Sequence, residues 1–350
     1  MFTLTIAVDL AKHVFEIAVA TRAGRISERK RFTRGQFEEF WTKRAPCRVV
    51  MEACASAHFW ARFLIARGFN VVLLPPGYVK PYRRRNKTDR ADCEALLEAD
   101  RCAGIKPVTV KSKDQQALLA LHRVRAQWMA SRTARINTMR GLLVEFGVRA
   151  AVGAERFLKD LPALLGRKQA QLPQRLCRTV LTLYEEVREL EQRIETLETD
   201  LEGVTLEQPV IQTLRTIPGI GLLTATALYA TIGNIHAFGS GRQLACWLGL
   251  TPREHSSGGQ HRLGRISKQG DPYLRMLLVH GARSALNAAR RRDHAGQPLT
   301  RLQSWSLERA RSGHSNKATV ALANKLVRIV WAVWYHDRAF NGNHGQPQAA

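Results

Sequence analysis

The sequence predicts a mixed α/β domain at the N-terminus, followed by a long helical segment and a mostly helical C-terminal domain. Three observations support this fold class: short strand-like and helical segments, the first of them an alternating strand pattern at residues 2–8, follow one another up to residue 102, apolar residues recur with a helical period after Lys113, and a regular heptad occupies residues 176–201. Alternation is typical of strands, and the longer periods are typical of helices and coiled coils. The 350 residues suffice for two or three domains.

The N-terminal segment predicts three strands, after which helices and strands alternate. Residues 2–8 alternate between apolar and small polar side chains and predict a first strand that ends at Asp9. The other predicted elements are strands at Val14–Ala20, Arg25–Phe32, Cys47–Met51 and Asn70–Leu74, and helices at Gln36–Lys43, Ala57–Arg67 and Asp89–Cys102. Three strands followed by this alternation predict a mixed sheet.

The heptad has apolar residues spaced alternately four and three positions apart. They are Leu176, Val180, Leu183, Val187, Leu190, Ile194, Leu197 and Leu201. This spacing predicts a coiled-coil seam, with Gly203 ending the helix. The partner stays open: another subunit, an intramolecular hairpin with the long helix that begins near Lys113, or the helix's own domain.

The overall charge favours a nucleic acid as the partner. Lys and Arg total 54 against 29 Asp and Glu, a formal net charge of +25. Because these charges run through the whole chain, a polyanion is a better partner than a membrane surface. The six cysteines contain no C-x-x-C pair, and the N-terminus lacks a basic leader. We therefore expect a cytoplasmic protein with reduced thiols and neither a zinc ribbon nor a signal peptide.

Four carboxylates stand at the ends of predicted strands or at the start of a helix. Asp9 ends the first strand, Glu52 follows the fourth, and Asp89 and Asp92 open the helix after the fifth. Carboxylates gathered at one sheet edge repel one another unless cations neutralise them, and oxygen ligands suit Mg²⁺ or Mn²⁺. Two such ions can activate an attacking oxygen and stabilise a leaving one in phosphodiester cleavage.

Each acid also has a structural interpretation. Asp89 suits a helix N-cap, Glu52 an ion pair with an arginine, and Asp9 the cap of a turn. The order of elements, with an acid on the first strand, indicates a ribonuclease-H-like fold, whose core also builds actin-like ATPases. Those need glycine-rich turns around phosphates, and the first turn here, DLAKHVF, contains no glycine. The combination favours nuclease-type metal chemistry over nucleotide hydrolysis.

A basic loop at residues 80–87 leads directly into Asp89. Its candidate nucleic-acid contacts are Arg83, Arg84, Arg85 and Lys87. Phosphates bound there would lie beside the proposed metals, whereas the alternative is a solvated charge run.

Residues 214–229 match the helix–hairpin–helix pattern. The glycines of the hairpin, Gly219 and Gly221, allow the backbone to approach phosphates, and the next helix offers free N–H groups. This interpretation explains the uncharged stretch between Arg215 and Arg242 better than a membrane span does. The alternative is a helical turn without a ligand.

A loop rich in glycine, serine and arginine follows at residues 251–271. Its basic residues are Arg253, Arg262, Arg265 and Lys268. Serines in this setting predict a phosphate-binding loop, and a serine hydroxyl there could also act as a nucleophile once its proton is removed.

The motifs DLAKHVF, MEACASAHFW, KTDRAD, TIPGIG and HSSGGQHRLGRISKQGDPYLR together resemble the DEDD transposases of the insertion-sequence 110 family, nearest its 1111-like branch, over residues 4–335. The resemblance implies a RuvC-like N-terminal domain with Asp9, Glu52, Asp89 and Asp92 as metal ligands. It also implies a C-terminal transposase domain whose serine nucleophile maps to Ser257, with Ser256 as the neighbour that has to be distinguished from it.

The same resemblance implies partners and a setting. These are donor and target DNA, a structured non-coding guide RNA, and a homo-oligomer in which dimers assemble to a tetramer, in the bacterial cytoplasm at the nucleoid. The expected domains are a catalytic domain at 1–105, a helical and coiled-coil segment at 106–205, a transposase domain at 206–340 and a disordered tail at 341–350. Two rival functions are a metal-dependent Holliday-junction resolvase without a covalent serine intermediate, and a non-enzymatic nucleic-acid-binding protein.

Overall fold

The computed structural model describes residues 4–21, 23–83, 89–168 and 172–343, and the side chains of Asp89 and Lys168 lie outside the description. The chain divides into two compact units, Met1–Lys113 and Asp114–Ala350. The finer boundaries expected at residues 205 and 340 stay predictions, and the expected disorder of the tail concerns residues that lie mostly outside the description.

The first unit follows the predicted order of elements. Its strands and helices are β1 (Leu4–Leu10), β2 (Val14–Thr21), β3 (Ile26–Thr33), α1 (Arg34–Thr42), β4 (Arg48–Glu52), α2 (Ala57–Ile65), β5 (Asn70–Leu74), α3 (Pro76–Val79) and α4 (Asp89–Arg101). The strands form one sheet in the order β3-β2-β1-β4-β5. β1, β2 and β3 pair antiparallel, whereas β4 and β5 run parallel to β1. The predicted mixed sheet is confirmed.

The two faces of this sheet carry different cores. One face packs α1 and α2 through interlocking aromatic rings, with Phe15 stacked on Phe37 at a centroid distance of 4.6 Å and Trp60 edge-on to both. The other face carries small side chains such as Ala7 and Ala18, which pack with residues of α4. Small residues let a helix approach a sheet closely, so α4 lies directly over β1 and β2.

The second unit is mostly helical, as predicted. Its elements are α5 (Lys113–Glu145), α6 (Ala154–Lys168), α7 (Gln174–Glu207), α8 (Pro209–Arg215), α9 (Leu222–Ile232), α10 (Gly241–Trp247), β6 (Pro252–Glu254), β7 (Leu263–Ile266), α11 (Pro272–His294), α12 (Arg301–Arg311) and α13 (Ser315–Tyr335). Across the described ranges, no helix is both long enough and apolar enough to cross a bilayer.

The heptad helix α7 pairs with α5 inside the same chain. Three ion pairs join them: Arg125–Glu198, Arg132–Glu191 and Arg135–Glu186. Because the partner number falls as the arginine number rises, the two helices run antiparallel. The expectation that Gly203 ends the helix is wrong, since α7 continues to Glu207. A glycine inside a helix costs only about 1 kcal/mol, and buried neighbours on the same helix, such as Leu201 and Thr205, offset it.

A buried hydrogen-bond chain links α5 to α9 and α11. His122 is 2% exposed, and its Nδ1 and Nε2 lie 3.0 Å from the Tyr273 hydroxyl and the Thr226 Oγ1. The Thr226 hydroxyl donates to the Leu222 carbonyl at 2.7 Å, so it accepts from His122 Nε2–H. Nδ1 is then the acceptor for the Tyr273 hydroxyl. This arrangement requires a neutral imidazole, and burial, with the nearby Arg125, lowers the pKa of His122 to about 4.

Candidate catalytic centre

The register of the sheet places Asp9 beside Glu52. Val8 of β1 pairs with Met51 of β4 in the parallel ladder, and Asp9 and Glu52 are the next residues along each strand. Successive side chains of a strand point to opposite faces. Both acids therefore share the face of Ala7, which packs with α4.

Asp92 approaches the same place from the first turns of α4. Its side chain is 11% exposed and lies 2.8 Å from Arg83 Nε, whereas Arg83 Nη2 lies 3.0 Å from Glu52 Oε2. One guanidinium therefore bridges two of the four predicted acids. These acids come from different elements, so their convergence is a product of the fold.

The pKa shifts of two nearby thiols, Cys93 and Cys54, indicate where Asp9 lies. Burial raises the pKa of the Cys93 thiol, and the charge of Asp9 adds to the effect. Burial also raises the pKa of Cys54, with further contributions from Glu52 and Asp9. Asp9 is thus close to Cys93, the residue that follows Asp92 in α4. Asp89 opens α4 in the chain, but its side chain lies outside the described residues.

A divalent ion fits this donor set. Carboxylate oxygens are the ligands that Mg²⁺ and Mn²⁺ take. Asp92 Oδ1 is buried and faces the charge of Arg83, yet it makes no aligned hydrogen bond among the described residues. In the part of the chain that is described, no three His, Cys, Asp or Glu side chains stand close enough to form a metal cluster. The four-acid metal site therefore stays a prediction.

A fifth acid, which was not predicted from the sequence, lies on this face. Glu16 of β2 pairs directly with Asp9 and is 8% exposed, and the Cys93 thiol donates to its backbone carbonyl at 3.4 Å. The sequence feature that indicated this acid was Glu16 itself, the single charged residue in the otherwise apolar segment Val14–Ala20. Arg84, Arg85 and Lys87 of the basic loop lie outside the described residues.

The glycine- and serine-rich loop folds as a β-hairpin, which the sequence analysis did not predict. β6 and β7 pair antiparallel, and Ser257 pairs with Gln260 across the tip. Gly258 and Gly259 have φ angles of 56° and 77°. Positive φ at both central residues is what a tight two-residue hairpin turn requires, so the two glycines hold Ser257 at the tip.

The two neighbouring serines differ in their contacts. Ser256 Oγ donates to Glu254 at 2.7 Å and accepts from the Arg262 backbone N–H at 3.2 Å. The residues described here offer no such contact to the hydroxyl of Ser257, which is exposed. Ser256 therefore holds the hairpin together, and Ser257 presents its hydroxyl to solvent.

The predicted basic residues of this loop lie on and beside the hairpin. Arg253 donates to the Ser267 carbonyl at 3.2 Å, and Arg262 donates to the Gln260 side chain at 3.2 Å. Arg253, Arg262, Arg265 and Lys268 are exposed or nearly so. Their positive charge surrounds the hairpin on which Ser257 stands.

The two hairpin glycines of the second unit differ in their surroundings. Gly219 has a φ of +85°, and a Cβ there would lie 2.4 Å from the Gly281 carbonyl oxygen of α11. A glycine is therefore required at position 219 for packing against α11, whether or not it also approaches a phosphate. Gly221 is exposed and precedes the first turn of α9, where N–H groups are free to meet a phosphate. Its role and that of Gly219 in nucleic-acid binding stay predictions.

Comparisons with known proteins agree with these observations. Residues 6–147 match the DEDD model of IS110 elements, described as "Transposase", and residues 211–296 match "Transposase IS116/IS110/IS902 family". The chain is similar to a Pseudomonas aeruginosa protein named "Probable family 20 transposase", with 40% identity over 96% of this chain and 98% of the relative. It is also similar to the transposase of insertion sequence element IS1111A of Coxiella burnetii, with 38% identity over 94% of this chain and 88% of the relative.

A third relative is the transposase of insertion sequence element IS1328 of Yersinia enterocolitica, 37% identical over 96% of this chain and 98% of the relative. The fold, the acidic face and these matches define the class of protein: a transposase, an enzyme that acts on DNA. More specifically, the chain belongs to the IS110 family of transposases, with relatives that include IS1111A. The family predicted from the motifs is confirmed.

Proposed function

We propose that this transposase cuts and rejoins DNA strands through a RuvC-like acidic site and a serine nucleophile, Ser257. The observation that carries the proposal is the contrast at the hairpin tip, where Ser256 is hydrogen-bonded to Glu254 and Ser257 is presented to solvent by two glycines with positive φ. A nucleophile has to reach a phosphorus atom in line, which an exposed turn residue can do.

Asp9, Glu52, Asp89 and Asp92 would hold Mg²⁺ or Mn²⁺, which would supply positive charge beside the scissile phosphate. In the proposed step, Ser257 Oγ loses its proton and forms a bond to phosphorus. The bond from phosphorus to one bridging oxygen breaks, and that oxygen takes up a proton. A hydroxyl of the second duplex then attacks the phosphoserine and restores Ser257. Arginines of the hairpin would steady the phosphate.

The remaining parts of the proposal concern assembly. A structured non-coding RNA would pair with donor and target DNA, and the net charge of +25 suits a complex with both nucleic acids. Dimers would assemble to a tetramer in which the acids of one subunit meet the serine of another, in the bacterial cytoplasm at the nucleoid. A nucleic-acid contact of the α8–α9 hairpin belongs to the same proposal.

The proposal is tested by strand exchange between two duplexes in the presence of the element's RNA. Asp9→Ala and Ser257→Ala are each expected to abolish exchange while RNA binding survives, and Ser256→Ala is the matched control that retains exchange. Free nicked ends from the Ser257→Ala protein would favour the junction-resolvase alternative. Loss of RNA binding in both variants would show misfolding and remove the support for the assignment.

A further inference from the structure

The guanidinium of Arg83 occupies the space between two residues of the acidic face, Glu52 and Asp92. Its Nη2 lies 3.0 Å from Glu52 Oε2 and its Nε lies 2.8 Å from Asp92 Oδ1, with 27% of the Arg83 side chain exposed. Arg83 follows a short 3-10 turn at Lys80–Tyr82 and has an extended backbone, with φ −70° and ψ 127°. It is therefore the described residue that joins the basic loop to the acids.

A divalent ion and Arg83 compete for the same oxygens. A metal bound by Glu52 and Asp92 needs their oxygens at about 2.1 Å in a compact octahedral shell. The guanidinium instead fills the gap with a planar group and a single charge. Both cations cannot use Glu52 Oε2 and Asp92 Oδ1 together, so an ion that takes these two oxygens displaces Arg83.

The released Arg83 side chain can bind a phosphate. A guanidinium matches a phosphate through two parallel N–H donors, and Arg83 stands on the loop that leads from the sheet to α4. We propose that Arg83 has two positions: it is the internal counter-ion of Glu52 and Asp92, and it binds a DNA phosphate once a divalent ion takes its place. This inference rests on the proposed metal-dependent function.

The exchange couples two ligands. Metal binding is weakened by the free energy needed to break the Arg83 ion pairs. A phosphate that binds the free Arg83 side chain offsets part of this free energy. Each ligand therefore raises the affinity of the other by the same factor. The site would load its ions mainly when DNA is present, which restrains cleavage by the unbound enzyme.

The first test measures Mg²⁺ binding to the full-length protein by calorimetry, with no DNA. Arg83→Met is expected to bind Mg²⁺ about tenfold more tightly than the wild type, because no ion pair has to break. Arg48→Met is the matched control: Arg48 makes a comparable pair with Asp100, at 2.6 Å, at the start of β4, and its loss should leave Mg²⁺ affinity unchanged. Equal or weaker Mg²⁺ binding by Arg83→Met overturns the proposal.

The second test measures the affinity for a mixed-sequence DNA duplex by fluorescence anisotropy, with and without Mg²⁺. The wild type should gain affinity on addition of Mg²⁺, and Arg83→Met should lose that gain while retaining its affinity in the absence of the ion. A gain that persists in Arg83→Met contradicts the two-position role. Should Arg83→Met fail to fold, Arg83→Gln carries both tests, since a neutral amide is neither a counter-ion for the carboxylates nor a cation for a DNA phosphate.

Failure of the proposed function gives a different result. A protein without a metal-dependent site binds Mg²⁺ in neither the wild type nor Arg83→Met, and Asp92→Asn changes nothing. If only the inference about Arg83 is wrong, the wild type binds Mg²⁺, Asp92→Asn abolishes that binding, and Arg83→Met leaves it as it was.

Discussion

The neutral imidazole of His122 predicts a loss of stability on mild acidification. The pKa of His122 is about 4 in the folded chain against an ordinary value of 6.5. Between these two values the unfolded chain binds the extra proton and the folded chain does not. The neutral His122 network therefore contributes its full stability to the fold above pH 6.5, and this contribution is lost as the pH falls towards 4. From pH 7 to pH 5 this amounts to a loss of about 2 kcal/mol in the free energy of unfolding.

The structure explains why the imidazole of His122 stays neutral. A charged imidazole donates from both nitrogens, so Nδ1 would have to donate to the Tyr273 hydroxyl, which itself donates in the neutral network. The site is buried, and the positive charge of Arg125 disfavours a second cation. Protonation thus breaks the connection between α5 and α11.

Native-state hydrogen exchange, corrected for the intrinsic pH dependence of amide exchange, measures this effect in peptides from α5 and α11. His122→Gln is the comparison, because an amide keeps one donor and one acceptor but does not titrate. The wild type should lose protection in both helices between pH 7 and pH 5, and the variant should lose about 2 kcal/mol less. The same loss in both proteins would show that His122 does not titrate between the folded and unfolded states as described.

Three further predictions concern packing and the hairpin. Gly219→Ala should destabilise the second unit by about 3 kcal/mol or more in urea unfolding, because its Cβ meets the Gly281 carbonyl. Gly153→Ala, at φ +94° in open space, should cost only about 1–2 kcal/mol, and equal costs would contradict the packing argument. Leu201→Ala, at a fully buried position of α7, should cost about 3 kcal/mol in the same assay, and a cost near zero would contradict the burial. Ser256→Ala should speed amide exchange at Arg262 by about twofold to tenfold, because that N–H donates to the serine hydroxyl, and an unchanged rate would count against the contact.

The sequence could predict the sheet because alternation and strand order are local properties. Once β1 and β4 run parallel, the residues that end their apolar runs have to meet, and this brings Asp9 next to Glu52. The spacing of Asp89 and Asp92 likewise fixes a shared helical face. The positions of these acids at the ends of their elements were therefore predictable from local patterns, whereas their convergence depends on how the elements pair.

The features that the sequence could not predict depend on contacts between elements. Glu16 reaches the acidic face only through the antiparallel register of β1 and β2. The ion pairs of Arg83 with Glu52 and Asp92 depend on the distance between the end of β4 and the start of α4. Gly203 looked like a helix end because its intrinsic preference opposes a helix, and packing along α7 overrides that preference.

The central claim is that Ser257 forms the covalent link to DNA beside a carboxylate-held metal. The most direct measurement is mass spectrometry of proteolytic peptides after the enzyme has reacted with its DNA and RNA in Mg²⁺ and been quenched in denaturant. We expect a nucleotide attached to Ser257, which Asp92→Asn abolishes. A nucleotide on Ser256, or full cleavage with no modified peptide, would contradict it.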